Sequence, residues 1–536
     1  MLPASLRTLR EKLATLHCTA PYTVPGRWVD RTDSEVSFPS APAYFLHQLD
    51  VIEQRCEQDR ASWSYESTIV YNGLVRHITA WDHGADAAAE GWCTNGSFLK
   101  TLALLPYLDS LHITTLSLLP LYERGVVGRK GVLGSPYAIR HPLHIDHELA
   151  EPCIDMDLDA QLRCLVDACH ALGIRVVFEF VPRTASIDSD LVADHPDWFY
   201  WVHLDALRDG RFAAPVLNAK DLASAKRLVK AHSRIGLPEP DATYQALFTS
   251  TPTHIERTDK GWVGTTAMEE RVGIPGAFAD WPPDDPQPAW SDVTYLKLHN
   301  HPHFPYMAYN TVRMYDTTLD LPVYRQHDAW DHVASIIPQY IERFDIDGAL
   351  IDMGHALPEE LQRRVIQEAR SRKPDFMLWE ENFFIEEESR KAGYDAVVGY
   401  LPLDAHNEER MEEFLQRSID EPFATRYFGT PETHNTARIA ARTGSPYRSL
   451  ATWAMIAHIP YALPFIHAGI ELGEVRPVNT GLGFTAEEQA SFAISDLALF
   501  SSVILPWNAP ARLHEAWKKA TAMVALRAET TSVEPT

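Results

Sequence analysis

Three carboxylic acids close short apolar runs: Asp352 follows GALI, Glu380 follows FMLW, and Glu432 follows YFGTP. Carboxylates are seldom buried without partners, and acids at the ends of parallel strands converge on one mouth. Cleaving a glycosidic bond with retention needs such a set. It takes a carboxylate nucleophile, a protonated acid about 5 Å away, and further charge near the oxocarbenium-like transition state. Any single strand-end acid is as readily a helix cap, because Asp and Glu favour the first helical turn. Three at compatible spacing weigh towards chemistry.

The elements that must position them are eight apolar runs: TIVYNG, ITTLSLLP, IRVVFEFVP, IDGALID, DFMLWEE, DAVVGYL, ATRYFGTPE and IPYALPFIHAG. Amphipathic segments such as FLKTLALLPYLDSL and AQLRCLVDACHALG lie between them and stop near turns or Gly, as helices do. This alternation predicts an α/β fold, a (β/α)8 TIM barrel. One βα unit separates Asp352 from Glu380 and two separate Glu380 from Glu432, whereas a domain-sized insertion parts Glu179 from Asp352. The predicted organisation is an N-terminal helical extension (1–62), a first part of the barrel (63–181), a loop-rich inserted domain (182–300) and a second part of the barrel (301–528). The insertion, with its GIPGAFADWPPDDPQPAW stretch, is expected over the C-terminal face, where barrels of this kind build sites. HEAWKKATAMVALRAE is expected to close the barrel, with no sizeable β domain after it.

Composition narrows the function classes. The 536 residues carry 48 Lys plus Arg against 73 Asp plus Glu, a net charge of −25 that disfavours nucleic acid and anionic membranes. Hydrophobic residues at 45% and charged residues at 23% describe a folding globular chain. The 14 Trp suit stacking on sugars but equally suit a large core. Six scattered cysteines (Cys18, Cys56, Cys93, Cys153, Cys164, Cys169) form no CxxC pair and read as reduced thiols. The N-terminus lacks the uninterrupted apolar run of a signal peptide and no run reaches a membrane span, so a cytoplasmic protein is expected.

Several strings together resemble the α-amylase family (glycoside hydrolase family 13), and within it the bacterial maltosyltransferases that use maltose-1-phosphate. The resemblance covers most of residues 65 to 500. FDIDGALIDMGHALP resembles the fourth-strand motif that supplies the nucleophile, mapping it to Asp352, with His355 and Pro358 spaced as in that branch. MLWEENF resembles the fifth-strand motif and maps the acid/base to Glu380; Glu381 is the reserve, because a slip of one residue would turn it into the barrel instead. YFGTPE resembles the seventh-strand motif, with Glu432 where a transition-state-stabilising Asp is usual. The following HNTAR also resembles a His-Asp-Thr-x-Arg string, with His434 and with Asn435 in place of Asp. The two registers conflict, and Glu432 is preferred because a carboxylate survives there. RKGVLGSPYAI and ADHPDWFYW add to the resemblance.

Departures are as informative. The family places an Arg two residues before the nucleophile; this chain has Leu350, and nothing in the sequence visibly replaces that charge. In FEFVPRT, Glu179 stands where Asp is usual, and Arg183 and Thr184 stand where many relatives carry Asn and His, so no calcium site of the amylase kind, and no metal or other cofactor, is expected. Arg183 offers a cation to an anionic substrate such as a sugar phosphate, or more simply an ion pair to an acid of the inserted domain. Tyr137 and Trp198 can stack on glucose rings or belong to the core, and HPLHIDH can bind metal or sugar hydroxyls or be merely solvated. With Tyr137, Arg183, His355, His434 and Asn435 as candidate substrate contacts, the expected partner is an α-glucan or maltooligosaccharide, with a sugar phosphate as a further candidate donor. The lead reading is retaining glycosyl transfer, with maltosyl as the group moved. A hydrolase of the same family is the first alternative, and a catalytically silent glucan-binding barrel, suggested by Leu350 and Asn435, the second. Oligomeric state is not legible.

Overall fold

All eight apolar runs become parallel strands of one closed barrel. They are β1 (Val70–Gly73), β2 (Thr115–Leu118), β3 (Arg175–Phe180), β4 (Gly348–Ile351), β5 (Met377–Glu380), β6 (Ala396–Val397), β7 (Arg426–Gly429) and β8 (Ala462–His467). Each pairs with the next in sequence, and β8 returns to β1. The computed structural model describes residues 2–32, 34–57, 63–230, 236, 238–277, 290–307, 320–421 and 423–531.

Strand alternation divides the barrel into two cores. Val177, Leu350, Met377, Trp379, Phe428 and Phe465 pack together inside the barrel. Their neighbours Val176, Phe178, Ala349, Ile351 and Leu378 join the larger core between the strands and the surrounding helices. The phase continues past the strand ends: Asp352, two residues after Leu350, and Glu381, two after Trp379, point to the axis, whereas Glu380 follows Leu378 to the outer side.

Local signals set the helices. Ser97 caps Phe98–Ser110 by accepting from the Lys100 N–H, and Asp157 caps Leu158–Ala171 by accepting from the Ala160 N–H. Gly173, at φ 68°, lets the chain leave the latter helix for β3. In His327–Phe344, which leads into β4, Trp330, Val333, Ile337, Tyr340, Ile341 and Phe344 form the buried stripe of an amphipathic helix.

Before the barrel stand helices Ala4–Thr15 and Ala41–Cys56, joined through an antiparallel ribbon of Tyr22–Pro25 with Glu35–Phe38. The ribbon falls within the predicted helical extension, its first strand in the Pro-rich APYTVPGRW stretch that separates the two helices. Between β3 and β4, the insertion holds more regular structure than its sequence suggests. Val202–His203, Arg271–Gly273, Gly261–Thr265 and His254–Thr258 form a four-stranded antiparallel sheet, and Thr184–Ser186 pairs with Val293–Tyr295. Residues 278–289, most of the Pro- and Asp-rich stretch, lie outside the described residues. The last helix, Ala511–Thr531, packs Trp517 on Trp453 at 4.9 Å and joins Asp30 through Lys518. All six cysteines are free thiols, and no helix among the described residues is long and apolar enough to cross a membrane.

Candidate active site

Asp352 and Glu381 occupy the same level on neighbouring strands. The Asp352 N–H donates to the Phe180 carbonyl (2.9 Å), and the Glu381 N–H donates to the Ile351 carbonyl (2.9 Å), so each extends the barrel's pairing by one residue. Their carboxyls hydrogen-bond to each other. Burial and the neighbouring Asp352 charge push the Glu381 carboxyl up to about 8. Burial also raises Asp352, but the Arg183 guanidinium opposes that. With its carboxyl at about 8, Glu381 is the member of the pair disposed to keep a proton at neutral pH. Met353, in the left-handed region at φ 46°, aims its N–H at Glu381 Oε2 (3.1 Å), and His355 Nδ1 lies 3.1 Å from the Glu381 carbonyl.

Arg183 supplies the charge missing at position 350. Its Nη2 lies 3.7 Å from Asp352 Oδ2, and its side chain is only 2% exposed. The guanidinium thus has the carboxylate at the end of β4 as a partner, where the sequence suggested an acid of the insertion or an anionic substrate. Leu350 itself is buried in the barrel core.

A third acid faces the axis. Glu179, on β3 directly beside Leu350, is buried, and burial first, then the neighbouring Glu381 and Asp352, raise its carboxyl well above the usual range. Sequence reading left it out of the site, although the alternation of RVVFEF, which turns Val177 inwards, carried the signal. Tyr137 hydrogen-bonds Glu179, and its hydroxyl lies 2.7 Å from His434 Nε2 with the two rings stacked. Burial lowers the His434 imidazole to about 4, leaving it neutral. Beneath the pair lies a cavity of about 20 Å³, bordered by Asn72, Glu179, Leu350, Glu381, Phe428 and His434. That is room for about one water.

Two of the three expected acids do not join this cluster. Glu380, 2% exposed, sits behind the barrel wall, where its carboxylate accepts from Ser389 Oγ, Asn382 Nδ2 (3.3 Å) and Gln362 Nε2 (3.4 Å). The physical reason is phase: inward Trp379 forces Glu380 outwards and leaves the axis to Glu381. Glu432 is likewise corrected, because it spends its charge on a buried pair with Arg438 (2.7 Å) and on the Ile439 N–H (2.7 Å). The HNTAR register instead brings His434 to the axis. Asn435 is half-buried and turned to the 479–482 loop, its amide oxygen accepting from Asn479 and its carbonyl from the Leu482 N–H. Trp198 stacks on His195 in the core and offers no platform. His141 and His144 stack at 4.0 Å, and no group of three or more His, Cys, Asp or Glu among the described residues could hold a metal ion.

Fold and site together define a closed (β/α)8 barrel bearing two neighbouring carboxyls just past the ends of β4 and β5. The sequence matches no protein-family model and no curated protein. Among solved structures, the chain is similar to an α-amylase from Anoxybacillus (13% identity, TM-score 0.52, covering 88% of this chain and 80% of that one). It is also similar to an α-amylase from Geobacillus thermoleovorans complexed with acarbose (14%, 0.51, 88% and 80%). A third is the cyclic α-maltosyl-(1→6)-maltose hydrolase of Arthrobacter globiformis in complex with that cyclic sugar (12%, 0.51, 86% and 82%). The fold is that of the α-amylase barrels.

Proposed function

We propose that this protein is a retaining α-glucan-active enzyme of the α-amylase type and that its particular reaction is glycosyl, specifically maltosyl, transfer. The observation that carries this reading is the contact of the Asp352 and Glu381 carboxyls at the ends of adjacent barrel strands, with the Arg183 guanidinium 3.7 Å from Asp352. Two carboxyls in contact, with the proton on one, supply the nucleophile and the general acid that retention requires. Asp352 attacks the anomeric carbon, the bond to the leaving oxygen breaks, and that oxygen takes the Glu381 proton. Esterification removes the Asp352 charge that had helped to raise Glu381, so its proton affinity falls and the carboxylate becomes a competent base. It then takes the proton of an acceptor hydroxyl as that oxygen displaces Asp352 from the anomeric carbon. A glycosyl ring entering the site parts the two carboxyls towards the separation of about 5–5.5 Å found in retaining enzymes.

Support for an α-glucan comes from the structural neighbours, which include an acarbose complex and a cyclic maltosyl-maltose complex. Support for maltosyl transfer comes from the GHALP and MLWEENF strings. The test is a product assay of the protein and its Asp352→Asn variant, given maltose-1-phosphate with a maltooligosaccharide acceptor, and the maltooligosaccharide alone. Chain extension with phosphate release, lost in the variant, supports transfer. Cleavage without the phosphorylated donor replaces it by hydrolysis, and glucan binding without turnover by either protein makes the barrel a silent binder.

A further inference from the structure

We propose that Arg183 is the positioning cation of Asp352, delivered from the loop after β3 and held there by the returning strand of the insertion. This rests on the reading of Asp352 as the nucleophile. Asp352 is a largely enclosed carboxylate, its side chain 13% exposed, that must be ionised to attack, and ionisation in such a place is favoured by a compensating charge. The groups facing it are Glu381 from β5, Glu179 from β3, Tyr137 and Tyr122 from the segment after β2, and Arg183. Two are acids and two are phenols, so among the described residues only Arg183 brings positive charge within 4 Å.

The backbone explains why the cation comes from this loop. Asp352 hydrogen-bonds to the last residue of β3, so the chain leaving Phe180 passes beside the Asp352 carboxyl. Position 350 carries no charge of its own: Leu350 packs with Val177, Met377 and Trp379 and borders the small cavity next to Glu179 and Glu381. Arg183 stands at the rim and is fixed from the far side. Its carbonyl accepts from the Leu296 N–H (2.8 Å), Thr184 pairs with Tyr295, and the guanidinium lies 5.6 Å from the centre of the Tyr295 ring. The strand that ends the insertion thus sets the geometry of a charge acting on β4, which ties the insertion to the chemistry by position as well as by coverage.

The test uses the full chain with Arg183→Ala and Arg183→Lys, and two readouts. The first is the pH midpoint for modification of Asp352 by a water-soluble carbodiimide, followed by peptide mass spectrometry; the reagent takes the protonated acid and needs no turnover. Arg183→Ala is expected to raise that midpoint by about 1 to 3 pH units, with Arg183→Lys in between. The second is the acid limb of kcat/KM, which should move upwards in parallel, with added guanidinium restoring part of the loss in Arg183→Ala. A side chain that merely packs would give neither the parallel movement nor the guanidinium rescue. If Arg183→Ala does not fold, Arg183→Lys carries the same readouts. An unchanged midpoint in a folded variant of an active enzyme overturns the role of Arg183 and leaves the proposed function standing. A raised midpoint in a protein without turnover upholds Arg183 as the cation holding Asp352 ionised and removes the proposed function.

Discussion

Asp352 and Glu381 hydrogen-bond to each other from the ends of adjacent parallel strands, while Glu380, one residue earlier, lies on the opposite side of the same strand. The one-residue difference in position makes the proposed assignment of the acid directly measurable.

Glu381→Gln is expected to lower kcat/KM by about 10²–10⁴-fold towards substrates that need leaving-group protonation. Glu380→Gln should leave the chemistry in place but cost about 1–3 kcal/mol of stability, because Ser389, Asn382 and Gln362 lose a carboxylate acceptor. Steady-state kinetics alongside urea unfolding of both variants separates the two effects; the reverse pattern would return the role to Glu380.

Activity should fall as pH rises past about 8, because Glu381 must be protonated to act as the acid. Stability moves in the same direction. A carboxyl whose folded-state pKa lies above its ordinary 4.5 holds a proton that the unfolded chain has released, so its contribution is complete below 4.5 and lost as pH rises to about 8. Glu471, raised to about 7 by burial, adds to the loss over an overlapping range. Glu381→Gln should therefore flatten the decline in denaturation midpoint between mildly acidic and alkaline pH, and an equally steep decline in that variant would exclude Glu381 as its source.

The Glu432–Arg438 pair is fully buried, with side-chain exposures of 1% and 0%. Arg438→Met leaves a lone buried carboxylate and should cost about 3–5 kcal/mol, with part recovered when Glu432→Leu is added. Chemical denaturation of the single and double variants measures the coupling. Glu432→Gln should lower stability and change the turnover of the folded enzyme little, whereas a loss of turnover at unchanged stability would restore the role its motif suggested.

Met353 holds a backbone conformation that L-residues adopt at a cost of about 1–2 kcal/mol, and does so with its N–H on Glu381. Met353→Gly keeps the N–H and removes the side-chain strain. We expect it to raise stability by up to about 1 kcal/mol without loss of activity. Thermal melts and kcat/KM of the variant check both parts.

The barrel was legible because its signal is local and repeated. Eight apolar runs separated by amphipathic segments leave few arrangements that bury both faces of every strand, and all eight are strands of the closed barrel. The same patterning placed Asp352 at a strand end, where the structure also has it. Pieces outside that repeat escaped it: the ribbon of Tyr22–Pro25 and the small sheet of the insertion do not belong to the strand–helix alternation, and strands such as His254–Thr258 carry mostly polar, exposed residues.

What remained belongs to tertiary structure. A run such as MLWEE has an unambiguous alternation but two possible phases, and only the packing of Met377 and Trp379 into the lumen chose the phase that turns Glu381 to the axis and Glu380 away. Glu432 meets Arg438 through the turn between them, and that contact decided that its charge serves stability. Arg183 and Asp352, separated in sequence by the whole insertion, become neighbours because β3 and β4 pair in parallel. Residue types and spacing determined the barrel and the acids available at its mouth. Which carboxyls meet, and which cation lies beside them, depended on side-chain phase and long-range contact, which a one-dimensional pattern does not encode.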